Sequence, residues 1–282
     1  MVSAQSSKPS GRSAAGKTVV ITGASAGIGE GIARCLATRG YSLVLGARRR
    51  AELERVAADA ERMGAARAIA VPTDVTRRAD VERLRDEAIA RAGGFDVWIN
   101  NAGRGITRQV LDLTDEDIDQ VIAVNVKSAL YGMQVAARYF MQRGRGHIIN
   151  TSSFLGRVPI ATHRSAYNAA KAALNALTAN LRVDLRAEHP DIHVTTVMPG
   201  MVATAFGRNA IGSAPDTPIY SGPYVQSVDD VAEIVAQTIE HPVAEVYTNP
   251  ASAEMARKYF ADVQAFEADG GRWGSAPTAP QR

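Results

Sequence analysis

The strongest constraint on the fold is a regular alternation of short apolar runs with amphipathic helical stretches, which begins at Lys17. Strand-like runs separated by helical stretches of about 10–15 residues are typical of βαβ units and of a parallel sheet. The predicted strands are 18–22, 42–45, 68–71, 95–99, 147–151, 193–197 and 245–248. The alternation predicts an α/β, doubly wound, Rossmann-type fold, in which a single domain carries helices on both faces of a parallel sheet of about seven strands.

Helical stretches are predicted between these strands, and some of them carry start signals. The first three are 29–38, 51–63 and 80–92. Thr114 with Asp117, and Ser227 with Asp230, have the spacing of a capping box, in which two side chains satisfy two orphan backbone amides. The longest predicted helix, 165–187, has leucines at helical spacing, namely Leu174, Leu177, Leu181 and Leu185.

The pattern occupies residues 17–268, which we predict to form one dinucleotide-binding and catalytic domain. Residues 1–16 are rich in Ser, Ala and Gly and are predicted to be a disordered tail, as 269–282 are predicted to be a flexible one. These first residues lack the apolar segment of a secretory signal, whereas their lack of acidic residues leaves an organelle transit peptide as an alternative. Residues 205–226, rich in Gly, Pro and Ser, are predicted to be a mobile loop at the substrate site.

Charge and cysteine content exclude several functions. The 32 basic residues are nearly balanced by 29 acidic ones, and they are not clustered as a nucleic-acid site requires. No apolar run reaches the roughly 18 residues of a membrane span, and the single cysteine cannot form an internal disulfide. No His, Cys and carboxylate group has the spacing of metal ligands. We therefore predict a cytoplasmic protein without nucleic-acid partner, membrane association or catalytic metal.

A glycine-rich turn joins the first predicted strand to the first predicted helix. It reads Thr22-Gly23-Ala24-Ser25-Ala26-Gly27-Ile28-Gly29. Glycines let the backbone approach a pyrophosphate closely, and the helix N-terminus offers N–H groups and a positive dipole end. The same spacing elsewhere would be an ordinary glycine-rich turn, but its place between strand and helix predicts a dinucleotide site.

The end of the second predicted strand indicates which dinucleotide is bound. A carboxylate there would bond the ribose 2′-hydroxyl of NAD, whereas a basic residue suits the 2′-phosphate of NADP. This strand is followed by Arg48, Arg49 and Arg50, and Arg48 is well placed for a bidentate phosphate contact. The alternative is a solvated basic helix start, which the helix dipole disfavours. The sequence therefore favours NADP(H), with NAD(H) possible.

Tyr167 and Lys171 lie one turn apart on the long predicted helix and so share a face. Taken alone, this pair carries little information. Ser152 and Ser153, however, end a buried strand, at the carboxyl edge of the sheet where α/β proteins bind their ligands.

Together these features resemble the short-chain dehydrogenase/reductase family, in its compact subgroup of roughly 250 residues. The matching elements are the turn at Thr22, Asp74, Asn100-Asn101-Ala102-Gly103, Asn125, Ser-Ser-x-x-Gly at Ser152, Tyr-x-x-x-Lys at Tyr167, and Pro-Gly-x-x-x-Thr at Pro199. They follow the family's order from Lys17 to Thr204, and the resemblance continues more weakly to Pro250.

The resemblance implies an NAD(P)-dependent oxidoreductase that interconverts a carbonyl and a secondary alcohol. Tyr167 would be the general acid and base, with Lys171 and the oxidised nicotinamide lowering its pKa. Lys171 would also hold the nicotinamide ribose, and Asn125 would position Lys171 through a water. Ser153 would donate a hydrogen bond to the substrate oxygen, although Ser152 remains an alternative for this role.

The resemblance also implies the cofactor contacts. They are Gly23, Ser25, Ala26, Gly27, Ile28 and Gly29 at the pyrophosphate, Arg48 and Arg49 at the 2′-phosphate, Asp74 and Val75 at the adenine, Asn101, Ala102 and Gly103 at the adenine ribose, Tyr167 and Lys171 at the nicotinamide ribose, and Pro199, Gly200, Val202 and Thr204 at the nicotinamide. The chain departs from the family in two places. Ala26 stands where many NADP-using members have a basic residue, and the spacing from Ser153 to Tyr167 is one residue longer than usual.

The expected substrate walls are 104–109, 154–164 and the loop after Gly200. His163 and Arg164 are candidates for contact with a polar substrate, with a surface position favoured for His163. Family members usually pair through the helices of Asn125 and Tyr167, so a homodimer or homotetramer is expected. The alternatives are a non-catalytic dinucleotide-binding redox sensor and a sugar-nucleotide epimerase or dehydratase. The sequence lacks the glycine turn and the longer substrate domain that are usual in such an epimerase or dehydratase.

Overall fold

The computed structural model of the protein describes residues 16–214, 216–219, 221–222 and 224–269. Apart from Gly16 and Asp269, the tails predicted at 1–16 and 269–282 lie outside the described residues.

One parallel sheet forms the centre of this part of the chain. Its strands are β1 (Thr18–Thr22), β2 (Ser42–Ala47), β3 (Arg67–Pro72), β4 (Val97–Asn100), β5 (Gly146–Thr151), β6 (Ile192–Met198) and β7 (Glu245–Tyr247). The 7-stranded sheet has the order β3-β2-β1-β4-β5-β6-β7, and every neighbouring pair is parallel. The chain therefore reverses its direction across the sheet between β1 and β4, and ligands of doubly wound folds bind at such a switch point.

Helices cover both faces of the sheet. They are α1 (Gly27–Ala37), α2 (Arg50–Arg62), α3 (Arg78–Ala92), α4 (Asp115–Ile122), α5 (Ser128–Arg143), α6 (Ser165–Arg186), α7 (Val228–Glu240), α8 (Pro250–Ala261) and α9 (Val263–Ala268). One buried cluster packs α1, α2 and α7 against the sheet, and a second packs α3, α5 and α6 against its other face. Val19 and Ile21 enter the first cluster and Val20 the second, because successive strand residues point to opposite faces. The predicted fold class is confirmed.

Local sequence signals account for several helix boundaries. Both predicted capping boxes form, at Thr114 with Asp117 and at Ser227 with Asp230.

The predicted strand 95–99 is displaced, because Phe95 lies before β4 and stacks on Tyr139, with 4.2 Å between the ring centres. A π-helical turn, Ala123–Lys127, separates α4 from α5, and nothing in the sequence predicted it. None of the described helices is long and apolar enough to cross a membrane.

His147 on β5 is a buried histidine whose ring is held by one hydrogen bond. Its Nε2 lies 2.8 Å from Thr195 Oγ1. Burial, followed by the positive charges of His193 and Lys17, lowers the pKa of His147 from 6.5 to about 3. The folded protein therefore keeps this ring neutral over a pH range in which the unfolded chain takes up a proton.

We expect acid to destabilise the fold through His147. Above pH 6.5 the ring is neutral in both the folded and the unfolded state, so it does not reduce the free energy of unfolding. Because the pKa is lowered on folding, that free energy falls progressively as the pH falls from 6.5 towards 3. The loss should approach about 1.4 kcal/mol per pH unit. Between about pH 7.5 and about pH 5, the free energy of unfolding of the wild type, measured with urea, should fall by roughly 1–2 kcal/mol more than that of His147→Asn. A variant of the exposed His241, His241→Asn, is the control, and an equal loss in His147→Asn and the wild type would contradict the expectation.

Candidate active site

The glycine turn lies at the carboxyl end of β1 and leads into α1. Gly23 has a φ of +68°, and a β-carbon there would lie 2.8 Å from the Cα of Ala102, so only glycine fits. Thr22 Oγ1 accepts hydrogen bonds from the N–H groups of Asn101 (3.0 Å) and Ala102 (3.2 Å), which ties the turn to the end of β4. Ala26 provides no side-chain cap for α1, so the first N–H groups of this helix remain available to an anion.

The segment after β6 faces this turn. A β-carbon at Gly27 would lie 3.5 Å from Thr204 Cγ2, so Thr204 stands across the cleft from the start of α1. The Pro199 carbonyl accepts a hydrogen bond from the N–H of Phe154 at 2.9 Å, which links the segment to the end of β5. Val202 is buried. The structure therefore brings the predicted Pro-Gly-x-x-x-Thr segment, including Gly200, beside the glycine turn.

Two arginines follow β2 next to this turn. The Nη2 of Arg49 lies 3.1 Å from Ser25 Oγ and 3.4 Å from the Ser25 carbonyl oxygen, while its Nη1 lies 3.8 Å from the carboxylate of Glu52. Arg48 is exposed, and no hydrogen bond or ion pair of its side chain is found within the described residues. Arg49 therefore contacts the glycine turn directly, a contact that its position in the sequence does not predict.

Asp74 follows β3, farther along the same edge of the sheet. Its Oδ1 accepts hydrogen bonds from the N–H (3.0 Å) and the hydroxyl (2.7 Å) of Thr76. The Asp74 N–H donates to Asp80 Oδ2 at 2.9 Å, and Val75 is packed into the core. Asp74 and Val75 therefore lie in a hydrogen-bonded turn at the carboxyl edge of the sheet.

Asn125 occupies the π-helical turn between α4 and α5. Such turns are frequent at functional sites, because the extra residue redirects a side chain. The Nδ2 of Asn125 donates to the Arg104 carbonyl at 2.9 Å, and its Oδ1 accepts from the Arg104 N–H at 3.2 Å. A β-carbon at Gly103 would lie 3.0 Å from that Oδ1 and 3.6 Å from Lys171 Nζ. Asn125 and Lys171 thus border the same small space at the end of β4.

Tyr167, Lys171 and Ser153 meet at the carboxyl end of β5. The Nζ of Lys171 lies 5.6 Å from the centre of the Tyr167 ring and donates to the Thr151 carbonyl at 2.9 Å. The Ser153 hydroxyl accepts a hydrogen bond from the N–H of Leu155 at 3.1 Å, and it lies close enough to the Tyr167 phenol to lower its pKa. Ser152 turns the other way, and its hydroxyl donates to the Lys171 carbonyl at 3.2 Å. Of the two serines, Ser153 is therefore the one that meets the tyrosine.

Burial dominates the proton affinities of this group. Burial raises the pKa of Tyr167 to about 12, against the hydrogen bond from Ser153 and the charge of Arg164, which lower it. Burial also lowers the pKa of Lys171 to about 7. An amine that is nearly neutral has little electrostatic effect on the phenol. In the protein without a bound cofactor, Lys171 therefore does not lower the pKa of Tyr167 as expected.

The three segments expected to wall the substrate pocket are joined by short parallel bridges. Ile106 pairs with Ile211, and Arg108 pairs with Arg164. The ring of Phe206 packs edge-on against Tyr167, with 5.5 Å between the ring centres. His163 is exposed, as favoured, whereas Arg164 is buried. The first part of the predicted loop 205–226 is therefore hydrogen-bonded to the chain after β4 and packed over the tyrosine.

Within the described residues, no group of three or more His, Cys, Asp or Glu side chains could hold a metal ion. The chemistry available at this edge of the sheet is that of a buried phenol, a buried amine and a serine hydroxyl, beside a turn suited to phosphate. Its residues come from the ends of β1, β4, β5 and β6 and from α6.

Comparison with known proteins identifies the family of the chain. Residues 17–212 match the family described as short chain dehydrogenase. An uncharacterized oxidoreductase of Bacillus subtilis, YxnA, is 32% identical over 232 residues, which cover 82% of this chain and 65% of the Bacillus protein.

Two solved structures show the same fold over nearly the whole chain. A short chain dehydrogenase/reductase from Burkholderia phymatum, in complex with NAD, has a TM-score of 0.82 and 27% identity, covering 95% of this chain and 100% of the other. A short-chain dehydrogenase from Sphingobium yanoikuyae, in complex with NADPH, has a TM-score of 0.75 and 28% identity, covering 94% and 100%. The chain therefore belongs to the short-chain dehydrogenase/reductase family of oxidoreductases.

Proposed function

We propose that the protein transfers a hydride between a nicotinamide dinucleotide, with NADP(H) preferred over NAD(H), and a carbonyl or secondary alcohol substrate, with Tyr167 as the general acid and base. The observation that carries this proposal is the meeting of Tyr167, Ser153 and Lys171 at the carboxyl edge of the sheet. A buried phenol that lies close to a hydroxyl and to an amine is suited to proton transfer, and titratable groups with strongly shifted pKa values cluster at functional sites.

The residues around Tyr167 divide the work of proton transfer. In reduction, the Tyr167 hydroxyl donates its proton to the oxygen of the substrate carbonyl, and in oxidation the phenolate takes that proton back. Ser153 donates a hydrogen bond to the same oxygen and stabilises the negative charge that develops there. Asn125 fixes the backbone at Arg104 and borders the space beside Lys171, so it is proposed to position the amine.

The glycine turn and its surroundings fit a dinucleotide. The start of α1 has free N–H groups for a pyrophosphate. Among the described residues, the nearest neighbour of a β-carbon built at Gly27 would be Thr204 Cγ2, at 3.5 Å. Lys171 is proposed to hold the nicotinamide ribose, with Pro199, Gly200, Val202 and Thr204 around the ring. Asp74 and Val75 are proposed for the adenine, and Asn101 to Gly103 for its ribose. When bound, the nicotinamide supplies or accepts the hydride.

The preference for NADP(H) rests on the arginines that follow β2. Arg49 lies on Ser25 of the glycine turn, and Arg48 has an exposed side chain at the same strand end. A guanidinium group pairs with a phosphate through two parallel hydrogen bonds, which a ribose hydroxyl cannot match. The two similar structures described above were solved with NAD and with NADPH, so the fold accepts both and the local residues decide the preference.

We expect the purified protein to bind NADPH about 10–100-fold more tightly than NADH, since charge-assisted hydrogen bonds contribute about 1.5–3 kcal/mol. Fluorescence titration measures both affinities. Arg48→Ala and Arg49→Ala should each weaken NADPH binding about tenfold and leave NADH binding nearly unchanged. Arg50→Ala is the matched control, because the Nη1 of Arg50 pairs with the carboxylate of Glu54 at 3.7 Å and Arg50 is not assigned to the 2′-phosphate.

The outcomes of this titration separate the parts of the proposal. A preference for NADH would contradict the cofactor assignment and leave the chemistry of Tyr167 standing. Binding of neither dinucleotide would contradict the enzyme proposal itself. Tight binding without turnover, across a screen of ketones, aldehydes and alcohols, would favour the non-catalytic redox sensor instead.

A further inference from the structure

Arg164 is a buried arginine immediately before α6, and neither the family resemblance nor the proposed mechanism gives it a role. Its side chain is held inside the protein, and only 6% of the residue is exposed. The Nη1 donates to the Ile106 carbonyl at 3.1 Å and to Thr107 Oγ1 at 3.2 Å. Burying an arginine in such a position has a considerable desolvation cost, which a role for its charge would offset.

The guanidinium lies on the same wall of the cleft as the phenol of Tyr167. The two residues are three apart at the start of α6 and therefore project from neighbouring positions. A β-carbon at Gly105 would lie 3.1 Å from Arg164 Nη1 and 2.9 Å from Phe206 Cε1. Phe206 in turn packs edge-on against Tyr167 at 5.5 Å. Arg164, Gly105, Phe206 and Tyr167 thus form one continuous layer.

We propose that Arg164 is a positioning residue that holds a permanent positive charge beside Tyr167 and so favours the phenolate that alcohol oxidation requires. This inference rests on the proposed role of Tyr167. Arg164 is the last residue of the long loop before α6, so this loop places the arginine in the wall of the cleft.

The charges around the phenol favour Arg164 over Lys171 as this electrostatic partner. The charge of Arg164 acts on the phenol, and the Nζ of Lys171 lies 5.6 Å from the centre of the Tyr167 ring. Burial lowers the pKa of Lys171 to about 7, so in the protein alone its amine is largely neutral above neutral pH. A guanidinium keeps its charge at any pH at which the protein folds. Consistent with this, the charge of Arg164 lowers the pKa of Tyr167, against burial.

Arg164 also has a structural role that an experiment must separate from its charge. Thr107 Oγ1, to which Arg164 donates, lies 2.7 Å from Ser213 Oγ, and the Arg108 N–H donates to the His163 carbonyl at 2.8 Å. The arginine therefore helps to tie the segment after β4 and the loop at Ser213 to the start of α6. Loss of this tie alone would loosen the wall without changing the charge at the phenol.

The test reads the ionisation of residue 167 directly and needs no turnover. A fluorinated tyrosine, whose phenol ionises at lower pH, is incorporated at position 167, and its ionisation is followed by fluorine NMR in the complex with NADP⁺. Arg164→Gln should raise the midpoint by about one pH unit, since a nearby cation lowers the pKa of an acid by about 1–3 units. Arg164→Met is measured as well, so that either neutral variant that folds can carry the test. Arg164→Lys, which keeps the charge, should restore the midpoint.

Thr107→Val is the matched control, because it removes the shared hydroxyl and leaves the guanidinium in place. Its midpoint should equal that of the wild type. An unchanged midpoint in the neutral Arg164 variants would overturn the proposal, as would an equal shift in Thr107→Val. Failure of the proposed function is distinguishable, since it would appear as absent turnover in the unmodified wild type, whatever the NMR midpoints.

Discussion

Replacement of Tyr167 by phenylalanine is expected to lower kcat by about 10³-fold in both directions, since a positioned general acid and base contributes about 10²–10⁴-fold. The ring is retained, so its packing against Phe206 and the affinity for NADPH should change little. The measurement is steady-state turnover of a carbonyl substrate found by NADPH-coupled screening, together with a fluorescence titration of NADPH. A loss confined to kcat would identify a group that acts in the transition state rather than in binding.

The control for this change is Tyr139→Phe. Tyr139 lies on α5 and stacks on Phe95 before the start of β4, which places it at the edge of the sheet opposite Tyr167. Its variant should keep wild-type turnover. Full activity in Tyr167→Phe would contradict the proposed mechanism, even if the protein binds its dinucleotide as expected.

Lys171→Met is expected to produce two large effects of opposite sign. Turnover should fall by about 10³-fold, because the amine beside Tyr167 and its proposed ribose contact are lost together. The free energy of unfolding should rise by roughly 1–2 kcal/mol near neutral pH, because a buried amine is replaced by an apolar side chain of similar length. Such a trade between stability and activity is common where an active site buries polar groups.

The pH dependence of stability provides the sharper test for Lys171. Because burial lowers the pKa of Lys171 from 10.5 to about 7, the unfolded chain binds more protons than the folded protein between these values. The wild type should therefore gain stability as the pH rises through this range, and Lys171→Met should lack that gain. Urea unfolding at about pH 7.5 and about pH 9 measures the difference. Lys258→Met, which removes an exposed amine on α8, should behave like the wild type, and a lower stability of Lys171→Met at both pH values would contradict the account.

Most of the fold was predictable because its signals are local. The apolar runs of β1, β2 and β4 needed no tertiary context, since strands buried on both faces are almost uniformly apolar. The capping boxes at Thr114 and Ser227 were predictable because each consists of contacts within one helical turn. The π-helical turn around Asn125 was not, because its residues have the composition of an ordinary helix and only packing between helices selects the extra residue.

The candidate site was predictable to the extent that it lies at strand ends. Glycines of the turn, Ser153 and Pro199 follow parallel strands, and the carboxyl ends of parallel strands meet at one edge. The resemblance favoured Ser153 over Ser152, whereas the directions of the two side chains are given only by the structure, through the different partners of the two hydroxyls. The contact of Arg49 with Ser25 likewise joins residues from two different turns.

Sequence alone thus predicted the architecture, the edge of the sheet at which ligands would bind, and the phenol and amine that meet there. Folding in three dimensions settled how those groups behave. Burial raises the pKa of Tyr167 and lowers that of Lys171, and it places Arg164 within the wall of the cleft. The physical reason is that helix periodicity and turn chemistry act over a few neighbouring residues, whereas desolvation and charge–charge interactions depend on every segment that closes around a group.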